Sequence, residues 1–197
     1  MVYVVGGVQG ITYLDNIMYV VCENSYTVRL YSLDMGSLVD DIYVRGMVRF
    51  ARDGMRSPSD IVVCRRDRQL YIPDCYCIWR VSVGDRSHTK WLTTESSTKN
   101  FIVWSLSVTS QSLLSTSWPP CLRQHSMADG QTLRVVQLPG YVKVLYHGVE
   151  TTRQTFVIGH QGTARDKDQS AVSEMFTLCH GLQYSIWSSI ANNTWSN

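Results

Sequence analysis

The side chains best suited to covalent or metal chemistry are six cysteines, of which only Cys75 and Cys77 stand close together. A structural zinc site usually needs two Cys/His pairs at short spacing, and the sequence contains no second pair. We therefore predict no metal site and interpret this pair as free thiols near a strand turn that pack as small apolar groups. A disulfide between Cys64 and Cys75 is the alternative, restricted to an oxidising compartment. The remaining cysteines are Cys22, Cys121 and Cys179.

Histidines could supply general bases, because the pKa of an imidazole lies near neutrality. His125, His147 and His160 fall in the second half of the chain, and nothing in the sequence pairs them with a nucleophile. No Gly-x-Ser-x-Gly segment is present, and Gly6 and Gly7 lack the lysine and helix that follow a phosphate-binding loop. We interpret the histidines as polar strand ends and loops. The sequence assigns no catalytic, cofactor-binding or metal-binding residue.

The most basic stretches, residues 49–56 and 65–68, each include an aspartate, and the whole chain has a formal charge of only +2. A nucleic-acid-binding face concentrates positive charge that no neighbouring acid cancels. We interpret both stretches as solvated turns and expect no nucleic-acid partner; a basic nucleic-acid patch is the alternative. No apolar run reaches the roughly 20 residues of a membrane helix, and no secretory signal is visible. We expect no membrane partner, and a cytosolic location is the default.

The elements that must position these residues are short apolar segments rich in Val, Ile, Tyr and Trp, separated by turn residues, which is typical of strands. The segments recur along the chain. Tyr19, Tyr71, Leu114 and Phe156 occupy equivalent places and follow one another at 52, 43 and 42 residues. A period of about 40–50 residues with four strands per unit is typical of a β-propeller blade, since stacked sheets cover each other's faces.

The sequence thus predicts an all-β chain: a β-propeller of about four blades, each a four-stranded antiparallel sheet. An unrelated all-β sandwich is the alternative. Tryptophans in or next to the strands are expected to fill the space between blades, and one residue of each first strand is expected nearest the axis. The predicted blades are approximately 8–45, 57–92, 103–138 and 145–176, with an atypical tail at 177–197. The tryptophans expected between blades are Trp79, Trp91, Trp104 and Trp118. The residues expected nearest the axis are Ile11, Ile61, Leu106 and Val149.

The second unit resembles an NHL-type blade. Residues 57–63, 69–74 and 77–82 show a Pro or Asp before an apolar strand, a polar turn, a strand ending in Asp74, and a strand with an aromatic residue before a basic one. The chain as a whole resembles the NHL/TolB-like six-bladed propellers, in a partial or truncated copy. The resemblance implies a non-catalytic scaffold that presents loops to a protein partner. The alternative implied by related propellers is a calcium-dependent lactonase, whose acids would be Asp60, Glu150 and Glu174.

Four units occupy about 180 residues, whereas six would need about 270. We therefore expect an open arc of blades, in which the outer faces of the first and last units are uncovered. Unless the tail covers one of these faces, we expect the chain alone to be either marginally stable or self-associating. The residues expected on these faces are Tyr13, Tyr19 and Val21 in the first unit, and Phe156, Ile158 and Val172 in the last.

Overall fold

A computed structural model of the chain describes residues 7–44, 54–93, 101–136, 138, 142–151, 156–162, 173–178 and 184–187. These ranges contain sixteen β-strands and no helix, and therefore no helix that could cross a membrane. The strands form four separate four-stranded antiparallel sheets, each with its strands in chain order. The predicted all-β architecture with four-stranded units is confirmed.

The first two sheets hold the segments that carry the strongest repeat signal. The first sheet contains β1 (Val8–Leu14), β2 (Ile17–Cys22), β3 (Thr27–Ser32) and β4 (Leu38–Tyr43); the second contains β5 (Val62–Cys64), β6 (Gln69–Asp74), β7 (Cys77–Ser82) and β8 (His88–Thr93). The β1–β2 hairpin closes on Asp15 and Asn16, with φ of 48° and 63°. Two such residues make a two-residue hairpin turn whose twist matches that of the strands, and Asp and Asn tolerate these angles better than most residues.

The third and fourth sheets repeat this order. They contain β9 (Ile102–Val108), β10 (Ser112–Trp118), β11 (Cys121–Ser126) and β12 (Thr132–Val136), followed by β13 (Val142–Glu150), β14 (Phe156–Gly162), β15 (Ser173–Leu178) and β16 (Tyr184–Trp187). The two outer strands of the fourth sheet therefore lie between residues 173 and 187. The first strands contact one another in sequence, β1 with β5, β5 with β9 and β9 with β13. This places the first strand of each sheet on the inner side, as predicted, and the four sheets do not close into a ring.

Apolar side chains fill the spaces between consecutive sheets. The cluster between the first and second sheets includes Tyr19, Val21, Leu70, Ile72 and Trp79, all almost fully buried. The second and third sheets enclose a cluster that includes Tyr71, Ile78, Leu106 and Leu113, and the third and fourth enclose Leu114, Leu122, Leu145, Phe156 and Ile158. The second and third sheets thus pack one face against each of their two neighbours.

The prediction that six residues lie on the outer faces of the first and last sheets is wrong for four of them. Tyr19 and Val21 are buried against the second sheet, and Phe156 and Ile158 against the third. The physical reason is the pleat, since the register pairs Tyr13 with Met18, so Tyr13 and Tyr19 point to opposite faces. Tyr13 does lie on the outer face, where it is 56% exposed. Val172 lies outside the described residues.

Gly10 marks the closest approach between the first two sheets. A Cβ at this position would lie 2.7 Å from the backbone nitrogen of Ile61 and 2.9 Å from Cα of Asp60. Because both atoms are backbone, Gly10→Ala would force the sheets apart, and we expect it to lower the free energy of unfolding by about 2 kcal/mol. Chemical denaturation measures this loss.

Gly84 supplies the matched control for that substitution. A Cβ at Gly84 meets no atom within 4 Å. Gly84→Ala should therefore change the free energy of unfolding by less than about 1 kcal/mol. Equal losses in the two variants would contradict a close contact at Gly10.

Candidate functional site

One end of the arc carries exposed aromatic side chains. In a meander of four strands, the turn after the second strand and the end of the fourth strand lie at the same end of the sheet. Tyr26 lies in the β2–β3 turn, Tyr43 ends β4, Tyr76 lies in the β6–β7 turn, and Trp118 ends β10. Their exposed fractions are 51%, 49%, 40% and 47%. We call these four residues the aromatic end.

The aromatic end spans the first three sheets. The rings of Tyr26 and Tyr43 pack together with centroids 6.0 Å apart. Large aromatic side chains left in water are costly for a free monomer, and such residues concentrate where proteins bind partners. The arrangement gives the arc a broad aromatic rim at this end.

Two of the four predicted core tryptophans contribute to the exposed surface. Trp79 and Trp91 do lie between sheets, in the clusters on either side of the second sheet. Trp104 and Trp118 are each 47% exposed, so the prediction that they fill interior space is wrong. Trp118 ends its strand and Trp104 alternates with the buried Val103 and Ser105, so the pleat turns it outward.

The opposite end of the arc is charged. Arg68 in the β5–β6 turn pairs with Asp15 of the β1–β2 turn, and Arg86 pairs with Asp40. Arg66 pairs with Asp67 at 2.8 Å and holds the pKa of that carboxyl below its usual range. We call these turns the charged end.

The basic run 65–68 is used within the fold. Arg65 places its guanidinium carbon 4.6 Å from the centre of the Tyr13 ring in the first sheet. Arg66 donates to the backbone oxygen of Ser110 in the third sheet. Each of Arg65, Arg66 and Arg68 thus has a protein partner, and the acids of the same turns cancel much of their charge. Exposed pairs of this kind contribute at most about 1 kcal/mol each, so their main effect is to align the turns.

A row of polar side chains crosses the inner strands of the second, third and fourth sheets. Asp60 accepts hydrogen bonds from Ser105 Oγ at 2.7 Å and from the backbone N–H of Leu106 at 2.9 Å. Ser105 Oγ also contacts His147 Nδ1. The row therefore links three blades through Asp60, Ser105 and His147, which are 45 and 42 residues apart.

The direction of these hydrogen bonds decides what the row can do. A carboxylate only accepts, so the single hydroxyl hydrogen of Ser105 points to Asp60. The contact with His147 then has Nδ1–H as the donor, in the tautomer that protonates this nitrogen. The row is a link between blades. Spacing in the sequence gives no hint of it, because the three residues meet only through blade stacking.

Asp74, the residue most specific to the blade resemblance, is buried. Its carboxylate accepts from the backbone N–H groups of Arg56 and Ser57, at 3.1 and 2.7 Å, and from the indole N–H of Trp79 at 3.1 Å. It therefore fastens the segment that enters the second sheet to that sheet. This arrangement uses both carboxylate oxygens inside the fold.

Of the acids named for the calcium-dependent alternative, the structure describes the side chains of Asp60 and Glu150. Asp60 is occupied by its backbone and Ser105 donors, Glu150 is half-buried, and the side chain of Glu174 lies outside those described. Within the described ranges, no group of three His, Cys, Asp or Glu residues could hold a metal ion. Five cysteines are free thiols there, including Cys64 and Cys75, while Cys179 lies outside.

His125 is buried inside the third sheet. Its Nε2 lies 2.9 Å from Ser115 Oγ and its Nδ1 3.3 Å from Thr132 Oγ1. Burial lowers the pKa of His125 to about 4, and the charge of Arg123 acts in the same direction. A neutral, hydrogen-bonded imidazole in this place is structural.

The lowered pKa of His125 predicts acid sensitivity. The unfolded chain binds the proton near the ordinary value of 6.5, and the folded chain only near pH 4. Stability should therefore be highest above pH 6.5 and should fall between 6.5 and 4, by about 3 kcal/mol from this group. Denaturation at a series of pH values tests this. His125→Gln, which keeps polar contacts without titrating, should flatten that part of the profile; an unchanged slope would contradict the assignment.

Known proteins resemble the chain in structure alone. No protein-family model matches it, and no curated protein matches it. Kuenenia stuttgartiensis hydrazine synthase superimposes with a TM-score of 0.66 and 12% identity, over 86% of this chain and 50% of that one. The Myceliophteria thermophila Cps50 (Swd1) β-propeller domain gives 0.61 and 8%, over 94% and 60%. The fold of the chain is a β-propeller.

The WD40 repeats of RRP9 extend this comparison, with a TM-score of 0.60 and 12% identity over 89% of this chain and 58% of that one. The chain spans about half to three fifths of these three structures. It also superimposes on the computationally designed Ika4 protein with a TM-score of 0.59 and 11% identity, over 94% of this chain and 93% of that one. Its four blades form an incomplete ring.

Proposed function

We propose that this propeller is a non-catalytic scaffold of the NHL/TolB-like kind that binds a protein partner through the aromatic end. The observation that carries the proposal is the exposure of Tyr26, Tyr43, Tyr76 and Trp118 at one end of three consecutive blades. Propellers of the WD40 type are typically protein-interaction scaffolds, which supports the same class of function.

The physical argument is energetic. Tyr and Trp supply large contact area at low cost in conformational entropy and are over-represented among residues whose truncation weakens binding most. The charged end offers less, because its side chains are paired with one another. The polar groups of Asp60, Ser105 and His147 bond to one another across three blades, which supports a structural role for the inner row.

The test is a quantitative capture experiment with the purified chain immobilised. The variant Tyr76→Ser with Trp118→Ser removes the exposed rings of the second and third blades. We expect it to reduce the amount of specifically captured protein by at least about tenfold, because aromatic contacts at an interface centre are worth 2 kcal/mol or more. Mass spectrometry of the captured material gives the readout.

A control variant distinguishes binding by the aromatic end from non-specific adsorption to exposed apolar side chains. Leu133→Ser with Tyr146→Ser removes two side chains that are 61% and 52% exposed but lie on β12 and β13, away from the aromatic end. It should capture the same proteins as the unmodified chain. If both variants lose the same proteins, or neither loses any, the aromatic end is not the binding surface.

A further inference from the structure

A polar crevice of about 450 Å³ lies between the second and third blades near the charged end. One wall is the face of β6, β7 and β8 that carries Gln69, Arg80 and Ser82, and the other is the β11–β12 turn with Met127. The turn is held close to β8, since a Cβ at Gly130 would lie 3.1 Å from the backbone oxygen of Trp91. The second and third blades are thus separated at the crevice and pack together through apolar contacts in the interior.

Arg80 supplies the unbalanced charge of the crevice. It is half-buried and hydrogen-bonded to the side chain of Tyr71. No carboxylate of the described ranges forms an ion pair with it, whereas Arg66, Arg68 and Arg86 each have one. A guanidinium partly removed from water gains most from a carboxylate, whose two oxygens match its paired N–H groups.

Two acids flank this cation at the mouth of the crevice. Asp67 lies in the β5–β6 turn and Asp85 in the β7–β8 turn, and both line the crevice. Asp85 accepts from the backbone N–H and hydroxyl of Ser87, and hydrogen bonds from Ser82 and Ser87 hold its pKa to about 2, so it is ionised. Because Asp67 is paired with Arg66, Asp85 supplies the uncompensated negative charge at the mouth of the crevice, outside the positive charge of Arg80. This charge disfavours a doubly charged phosphate.

We propose that this crevice binds an acidic side chain flanked by basic residues in a segment of the protein partner, with Arg80 holding the carboxylate. A flanking cation would lie beside Asp85. The proposal rests on the proposed scaffold function and names a second contact, between blades and at the end opposite the aromatic end. Gln69, Ser82 and the Tyr71 hydroxyl supply further hydrogen bonds inside the crevice.

The test uses two short peptides and does not require the partner to be known. An acetylated, amidated Gly-Lys-Glu-Lys-Gly peptide and its Gly-Lys-Gln-Lys-Gly counterpart are titrated while the Nε–Hε resonance of Arg80 is followed by NMR. We expect the Glu peptide to shift this resonance and to bind about tenfold more tightly than the Gln peptide. Equal shifts, or no shift with the Glu peptide, would overturn the proposal.

Variants and a competing anion complete the test. Arg80→Gln should weaken the Glu peptide about tenfold, read from the backbone amides of Ser82 and Thr89, and Arg80→Lys should recover only part of the loss. Arg56→Gln, an equal charge change at an exposed position outside the crevice, should have no effect. If Arg56→Gln weakens binding equally, or inorganic phosphate shifts Arg80 at lower concentration than the peptide, an acidic segment is not the ligand.

The outcomes separate this proposal from the scaffold function. If the Glu peptide binds at Arg80 but the variant with Tyr76→Ser and Trp118→Ser captures as much protein as the unmodified chain, only the proposed role of the aromatic end is contradicted. If that variant loses capture but neither peptide shifts the Arg80 resonance, only the proposed role of the crevice is contradicted.

Discussion

Replacing Asp74 with alanine is expected to lower the free energy of unfolding by about 4 kcal/mol, the largest loss we expect from one substitution. Three donors point at this carboxylate: the N–H groups of Arg56 and Ser57 and the indole of Trp79. Each donor left unsatisfied in a buried place costs about 1–3 kcal/mol. Urea denaturation followed by tryptophan fluorescence measures the loss.

Asp74→Asn and Asp129→Ala serve as controls for that result. Asn keeps one acceptor oxygen and should retain part of the stability. Asp129 accepts from the backbone N–H of Gln131 in an exposed turn, so its loss should cost far less stability than the loss of Asp74. If Asp74→Ala unfolds no more easily than Asp129→Ala, the carboxylate does not fasten the entry segment of the second blade.

The second large effect concerns exposed apolar side chains on the outer face of the first sheet. Ile11, Tyr13 and Leu38 are 56%, 56% and 53% exposed there, beside a buried cluster of Val20, Cys22 and Tyr31. Burying an apolar side chain of this size contributes about 1.5–3 kcal/mol. We therefore expect the chain on its own to self-associate at low micromolar concentration, as sedimentation would measure.

Variants show whether this face carries the association. Ile11→Ser with Leu38→Ser should lower the association constant by at least about tenfold, since two apolar anchors are lost. Leu133→Ser, at a 61% exposed position on the outermost strand of the third sheet, should leave it unchanged. A cooperative, well-folded monomer at all concentrations would contradict association through this face.

The repeat in the sequence is enough to predict the blades, because strand spacing is a local property. Tyr19, Tyr71, Leu114 and Phe156 occupy the second strand of successive sheets, as their even spacing predicts. Which face a residue takes depends on register, which the spacing does not fix. A shift of one residue exchanges the faces, and this is why Tyr19 and Phe156 are buried where exposure was predicted.

The candidate sites could be predicted only in part. Composition favours interior positions for tryptophan, yet Trp118 ends its strand at a turn and is exposed. The link through Ser105 joins three blades, so no single repeat contains its signal. The fourth strand of the last blade, Tyr184–Trp187, also escapes the repeat, because its four residues are too short to show alternation against a Ser-rich background.

Each of the first three blades contains at least one buried thiol that an alkylating reagent can reach only when the blade opens. Cys22 lies in the first sheet, Cys64 and Cys77 in the second and Cys121 in the third, and all four are buried and free. Burial raises the pKa of the Cys64 and Cys121 thiols, which keeps them unreactive while their blades are closed. The rate at which an alkylating reagent modifies each cysteine therefore records how often its blade opens. Peptide mapping of a labelling time course would rank the blades by their opening rates without any substitution in the chain.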